Sequence, residues 1–371
     1  MSVRAETIIR IIEGLAPKNL AMNWDNVGLQ LGNPAQEVKR ILITLDLTES
    51  VLNQAEELGV EMIITHHPLF WEKINRLNYN TFIGKAVSRL IKSDIVVYSA
   101  HTNLDIAAGG INDYLAKTLN LEGIEPLEIT AEDSLFKIVV FVPKDYLEQV
   151  REALAAAGAG WLGNYSHCSF QAQGIGTFKP LAGANPFLGE VGQLEYVEEY
   201  RLETIVPQNL LNRAVKAMLK AHPYEEVAYD IYPLKNEGVK HGLGRIGYLS
   251  VPLTLQELSQ QVKSVLGVPV LRVCGDLDKL VKKVAVCGGS GMGTIKDVLL
   301  KGADLLLTGD IKYHDAQDAL AQGIALIDAG HFPTENIFIP VLVEYLNQKL
   351  SEEGKRVEVF QAKLADPFIY V

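Results

Sequence analysis

From residue 39 onward, apolar β-branched runs alternate with stretches of helical period, and the alternation is broken once and then resumed. KRILITLD (39–46) reads as a strand, ESVLNQAEELG (49–59) as a helix stopped by glycine, and VEMIITH (60–66) as a second buried strand. FIGKAVSRLIKSD supplies a further helix, and IVVYSAHTNLD a strand that runs into a loop. Such an order restricts the chain to an α/β core, a mixed and mostly parallel sheet with helices on its faces. Ligands of such sheets gather at the carboxyl ends of the strands. His66, His67 and Asp105 fall at such ends.

Near residue 130 the character changes. LFKIVVFVPKDYLEQVREALAAAGAG reads as strand, turn and helix, and RLETIVPQNLLNRAVKAMLKAHPYEE repeats that order downstream. NYSHCSFQAQGIGTF, VEEYRLETIV and EEVAYDIYPL add strands, which gives a ferredoxin-like α+β unit. After HGLGRIG (241–247) the first pattern returns: a helix at TLQELSQQVKSVLG, then β-loop-α-β over 281–310. The expected organisation is a discontinuous core, 1–128 and 243–371, interrupted by an inserted domain at 129–242. A chain of 371 residues agrees, being long enough for about two or three domains.

Composition removes several function classes. The net charge of −11 is spread along the chain with no basic stripe, so nucleic acid is not an expected partner. No apolar run approaches the ~18 residues of a membrane helix, and the N-terminal MSVRAETIIRIIEGL reads as an amphipathic helix rather than a targeting peptide. Cys168, Cys274 and Cys287 are odd in number and far apart, which argues against a disulfide framework or a thiolate zinc site. A reduced, cytoplasmic protein is expected.

Three elements carry chemistry. In MIITHHPLFW (62–71), Pro68 holds His67 extended at a strand end. The adjacent imidazoles either serve two metals ~3.5 to 4 Å apart or form a satisfied polar strand end. In SAHTNLDIAAGG (99–110), Asp105 is either a ligand or a helix cap, with His101 and Asn103 able to hydrogen-bond ligands from behind. In DAGHFPTENIFIPVL (328–342), Pro333 suits a first helical turn, with His331 just before the helix and Glu335 near its N-terminus. The helix dipole alone accounts for Glu335, but not for His331.

Three imidazoles and two carboxylates favour a borderline ion: zinc first, with manganese, iron, cobalt or nickel as alternatives. Two carboxylates leave positive charge against two divalent ions, so hydroxide or an anionic small molecule would complete the site. A water shared by the ions would be made nucleophilic. CGGSGMGT (287–294) is either an anion-binding loop or a tight strand-to-helix turn. LTGDIKYHDA (307–316) puts Asp310 and His314 after a strand, His314 being a candidate neighbour of the site. WDNVGLQLG (24–32) reads as a pocket wall or a packing loop, and HPYEE (222–226) as a pocket lining or an ordinary surface loop.

WDNVGLQLG, THHPLF, HTNLD, CGGSG, TGDIKYHD and GHFPTE, in this order, resemble the GTP cyclohydrolase 1 type 2 homologue family, also called the Nif-three-like family. The inserted region resembles the PII- or CutA-like insert of its longer bacterial members. The resemblance implies a dinuclear centre in which His67 and Asp105 hold one metal, His66 and His331 the other, and Glu335 bridges both. It also implies a homohexameric toroid whose metal sites face an internal cavity, and hydrolytic opening of the guanine ring of GTP. Two functions stay open at this level: a metal-dependent hydrolase of a nucleotide or phosphorylated metabolite, and a regulatory or metal-handling binding protein without turnover. A third, structural reading makes the histidines assembly staples.

Overall fold

The computed structural model describes residues 2–369. The chain divides into two units, Met1–Ala131 with His241–Val371, and Glu132–Lys240. The first unit holds two mixed sheets where the alternation suggested one. In the five-stranded sheet Glu358–Gln361, Arg40–Thr44, Met62–Thr65 and Val96–Ser99 lie side by side and parallel, with Gly28–Leu31 antiparallel at the edge. In the six-stranded sheet Leu280–Val286, Leu305–Thr308 and Ala325–Asp328 form the parallel block. Arg272–Cys274 and Lys240–Thr254 flank it antiparallel, and Glu122–Glu132 lies beyond Lys240–Thr254. The chain segments on either side of the insertion each supply a parallel block, and each block is completed by strands from elsewhere.

The parallel strands are buried on both faces, which is why they read as continuous apolar runs. Ile41, Ile43, Met62, Ile64, Val96 and Tyr98 pack on Ile8, Ile12, Phe338 and Leu342 on one side. Leu42, Ile63 and Val97 meet Val51, Ala86 and Leu90 on the other. The helix Glu49–Leu58 starts where the Thr48 side chain accepts from Val51 N and stops at Gly59 in the left-handed region. Leu255–Leu266 opens with a reciprocal capping box between Thr254 and Glu257. No helix among the described residues is long and apolar enough to cross a membrane.

The second unit is a four-stranded antiparallel sheet made of Leu135–Pro143, Ser169–Phe178, Glu195–Pro207 and Tyr229–Pro233, with helices Leu147–Ala156 and Gln208–Ala221. Its spatial order is fourth, first, third, second, the ferredoxin-like arrangement. Ile138, Val140, Val142, Leu202 and Val206 alternate inward onto Val150, Leu154, Ala214 and Met218.

Candidate metal centre

The carboxyl ends of both parallel blocks converge on one cluster. The parallel ladder continues past Thr65, His66 N donating to Thr44 O and His67 N to Leu45 O. The doublet therefore leaves the sheet in register, with its rings 4.9 Å apart between centroids. Asp105 lies in a short helix, Thr102–Ile106, rather than in a loop. His331 is the first residue of the helix His331–Asn336 rather than its predecessor. That shift puts Glu335 one turn ahead of it on the same face.

The ring nitrogens are held in a common way. His66 Nδ1 lies 2.9 Å from Ala100 O; a carbonyl only accepts, so Nδ1 carries the proton and Nε2 keeps its lone pair. His67 Nδ1 meets Asp46 Oδ1 at 2.8 Å, His331 Nδ1 meets Asp310 Oδ2 at 2.7 Å, and His101 Nδ1 meets Asp25 Oδ1 at 2.9 Å. Orienting an imidazole through its far nitrogen is the usual support of a metal-binding histidine.

The free atoms fall into groups. His66 Nε2 is 3.8 Å from Asp105 Oδ1 and 3.8 Å from Glu335 Oε1. His67 Nε2 and His331 Nε2 are 3.2 and 3.1 Å from Glu335 Oε2, and 3.3 Å from each other. Ligands at 2.0–2.1 Å around a tetrahedral ion stand about 3.3 Å apart, so the second group matches such an edge. Both triads, and a third formed by His66, His67 and His101, have the donor types and closeness of a metal site. The structure thus joins His66 with Asp105 and His67 with His331, the reverse of the pairing that the resemblance implied. His66 Nε2, Asp105 Oδ1 and Glu335 Oε2 are buried without a hydrogen-bond partner among the described residues. Buried lone pairs aimed at one region are costly unless cations face them, and only Glu335 Oε2 has ring nitrogens of His67 and His331 as close as 3.2 and 3.1 Å.

Electrostatics agrees with a cation-seeking pocket. Burial, reinforced by Glu335, raises the Asp105 carboxyl. Burial opposes ionisation of Glu335 too, but His66, His331 and His67 outweigh it and hold its pKa well below the ordinary value. Burial lowers His66 to about 4, whereas the partners Asp46 and Glu335 overcome burial at His67 and raise it to about 10. The Glu335 contact raises His331 to about 9. Protons and divalent ions compete for these nitrogens.

The supporting residues explain several motifs. Asp25, from WDNVGLQLG, receives His101 Nδ1–H and Thr102 N–H, and Trp24 and Trp71 stand edge-on to His101. The CGGSG segment is a packed turn: Gly288 N donates to Asn112 Oδ1, Gly289 N to Thr334 Oγ1, and Gly291 N to Thr308 Oγ1. Those three amides are not free for an anion. At Gly289 φ is +63°, and a Cβ would come within 2.1 Å of Glu335 Oε1. His314 is exposed, packs edge-on to Tyr313, and belongs to none of the metal-capable groups. Asp25 and Asp46 did not stand out as site residues in the sequence, and Asp310 stood out only as a polar group after a strand.

A cleft of about 520 Å³ opens beside His67 and His331. Asp46, Asp310, Asp328, Arg272 and Phe332 are among its walls, and Arg272 Nη2 sits 3.4 Å from Asp328 Oδ2.

Residues 3–367 match the family described as Duf34/NIF3 (NGG1p interacting factor 3). A Halalkalibacterium halodurans protein named GTP cyclohydrolase 1 type 2 homolog is 46% identical over 99% of this chain and 98% of its own length. A Bacillus subtilis protein of the same name is 44% identical, covering 100% and 99%. The solved structure of a Bacillus cereus protein related to NIF3 superposes with a TM-score of 0.94 at 45% identity, covering 100% of this chain and 99% of that one. By its motifs, its fold and these relatives, the chain belongs to the Duf34/NIF3 family.

Proposed function

We propose that the chain holds two divalent metal ions in this cluster and is a hydrolase of a nucleotide or phosphorylated metabolite. The observation that carries the reading is the trio of buried, unpartnered atoms His66 Nε2, Asp105 Oδ1 and Glu335 Oε2. His66, Asp105 and Glu335 would hold one ion, and His67, His331 and Glu335 the other, with Glu335 shared. Bound there, such ions would supply Lewis acidity and lower the pKa of water. The chain's own groups do the rest. Asp46 and Asp310 fix the rings of His67 and His331. His101, its Nδ1 engaged with Asp25, keeps Nε2 to accept a proton at the cluster. Arg272 offers a cationic hold for an anionic group in the cleft. Trp71, 56% exposed and beside His67 and His101, offers a face to a heterocyclic base.

The name carried by the relatives, GTP cyclohydrolase 1 type 2 homolog, puts guanine nucleotides first among candidate substrates. Zinc is the first candidate metal, given nitrogen and oxygen donors without thiolate. The rest of the reading is a cytoplasmic homohexamer carrying a PII- or CutA-like inserted unit. A second reading, metal handling without turnover, draws on the carboxylates Asp46, Asp310, Asp328 and Asp366 that outnumber Arg272 in the cleft. Elemental analysis of purified protein, joined to a nucleotide hydrolysis panel, separates the two. Hydrolysis should be metal-dependent and absent in His67→Ala and Glu335→Ala. Stoichiometric metal with no turnover of any nucleotide would overturn the hydrolase reading and leave the second. Light scattering at a mass below six subunits would overturn the hexamer.

A further inference from the structure

The inserted unit contains a cavity of its own, about 730 Å³, formed entirely by residues of Glu132–Lys240. It lies on the sheet face turned away from the two helices. Strand alternation sends Val140, Val142 and Leu202 into the helix-covered core, so Phe141, Glu199 and Arg201 point the other way, into the cavity. The size is that of a small-molecule site, and the walls are mainly apolar, with Ile175, Phe178, Leu181, Phe187 and Leu188 among them.

Within these walls sits a carboxylate that packing alone does not account for. Glu199 is only 7% exposed, and Oε1 accepts from Tyr224 Oη at 2.8 Å. No cationic side chain among the described residues forms an ion pair with it, and Arg201 is turned to Glu203 at 3.1 Å. The backbone makes room for it: a Cβ on Gly176 would fall 2.0 Å from Glu199 Oε2. Around its Tyr224 partner, the rings of Phe178 and Phe187 each stand 6.1 Å away, centroid to centroid. The HPYEE segment builds this corner, since Tyr224 N donates to His222 Nδ1 and Glu225 and Glu226 also line the cavity. Three carboxylates there face two basic side chains, Lys179 and Arg201.

A buried, unpaired carboxylate inside a cluster of aromatic rings is the chemistry that recognises an ammonium group. We infer that this cavity, with Glu199 at its base and Phe178, Phe187 and Tyr224 around it, binds an organic cation: an ammonium group on an apolar body. The cation would give Glu199 its missing partner, the ring faces would contact its alkyl shell, and the apolar walls would take the rest of the molecule. The inference does not depend on metal at the histidine cluster.

The test is calorimetric titration of the full-length protein with benzyltrimethylammonium and, in parallel, with benzylsulfonate, which carries the opposite charge on the same body. The cation should bind saturably at one site per chain, about tenfold or more tighter than the anion. Glu199→Gln keeps the shape and removes the charge, and should weaken the cation by about tenfold with the fold retained by circular dichroism. Phe187→Ala, in a partly exposed loop, removes one ring without touching the buried carboxylate and should weaken it about threefold or more. His67→Ala should leave this binding unchanged, which keeps the result separate from the fate of the metal reading. Equal binding of cation and anion, no saturable binding of the cation, or full affinity in a folded Glu199→Gln would each overturn the inference. If Glu199→Gln does not fold, unchanged affinity in Phe187→Ala does so.

Discussion

Asp46 illustrates how single residues set this site. Its carboxylate touches no other candidate ligand but receives His67 Nδ1–H, and so decides which nitrogen faces Glu335. Removing such a support typically costs about 10- to 100-fold in metal affinity. Asp46→Ala should therefore weaken metal binding by that factor in competition with a chromogenic chelator, while His67→Ala should remove a site outright. Unchanged affinity in Asp46→Ala would mean that the ring is oriented by packing alone. A strand-terminal aspartate has an ordinary reading as a helix cap, which is why Asp46 was not legible as part of the site. A signal was nonetheless present: Thr44 pairs with Thr65, and Thr65 with Ser99, in parallel register. Two residues beyond those three positions stand Asp46, His67 and His101, so aligning the strand ends would have found the trio. His222 gives a residue-scale prediction of another kind. Burial lowers its pKa below the ordinary histidine value of 6.5, despite the opposing Phe141 carbonyl and Glu199. The folded state thus prefers the neutral ring. As pH falls through 6.5 the unfolded chain takes up the proton first, so this contribution is present above that pH and is lost below it. The unfolding midpoint should drop more between pH 7.5 and 5.5 in the parent than in His222→Gln; equal drops would assign the acid sensitivity to other groups.

Among elements, the parts that meet at the cluster are fastened to one another by side chains outside it. Asn112, in the helix Ile111–Thr118, donates to the Asp105 carbonyl and accepts from Gly288 N. It ties the short helix carrying Asp105 to the turn that follows Leu280–Val286, and so links one parallel block to the other. Asn112→Ala would strand a buried carbonyl and a half-buried amide, a loss of about 2 kcal/mol. It should appear as a lower urea midpoint together with weaker metal binding. A stability loss with metal affinity intact would show that Asp105 is placed by its own helix. Such fastenings could not be read in advance, since Asn112 and Gly288 are joined only by the fold. Individual strands and helices could be: apolar runs and a glycine stop located Arg40–Thr44, Glu49–Leu58 and Met62–Thr65 to within a residue or two. The division into two sheets was not legible, because identical β-branched runs serve either sheet and partner choice is a long-range property. The short helices at Asp105 and His331 were missed in detail for a local reason, since five or six residues hold too little periodicity to announce a helix.

At the scale of the whole molecule, the core is discontinuous and the inserted unit is not. Thr130 Oγ1 lies 3.5 Å from His241 O, so the chain leaves and re-enters the core between neighbouring strands, as at the tip of a hairpin. Replacing residues 132–240 by Asn-Gly should therefore leave a folded core that still takes up metal, as shown by circular dichroism and elemental analysis. Aggregation of the shortened chain, with no metal uptake, would show that the core depends on the inserted unit. Chain order also sets an order of events during synthesis. The inserted unit is complete once residue 240 has been made, whereas Arg40–Thr44, paired on one side with Met62–Thr65, waits on its other side for Glu358–Gln361. His66, His67 and Asp105 likewise wait for His331 and Glu335. On a ribosome that releases domains in the order they are made, the inserted unit folds as a finished passenger while the five-stranded sheet has four of its strands and still lacks Glu358–Gln361. The histidine cluster then closes late in translation, its near half made before the inserted unit and its far half, His331 and Glu335, only after it.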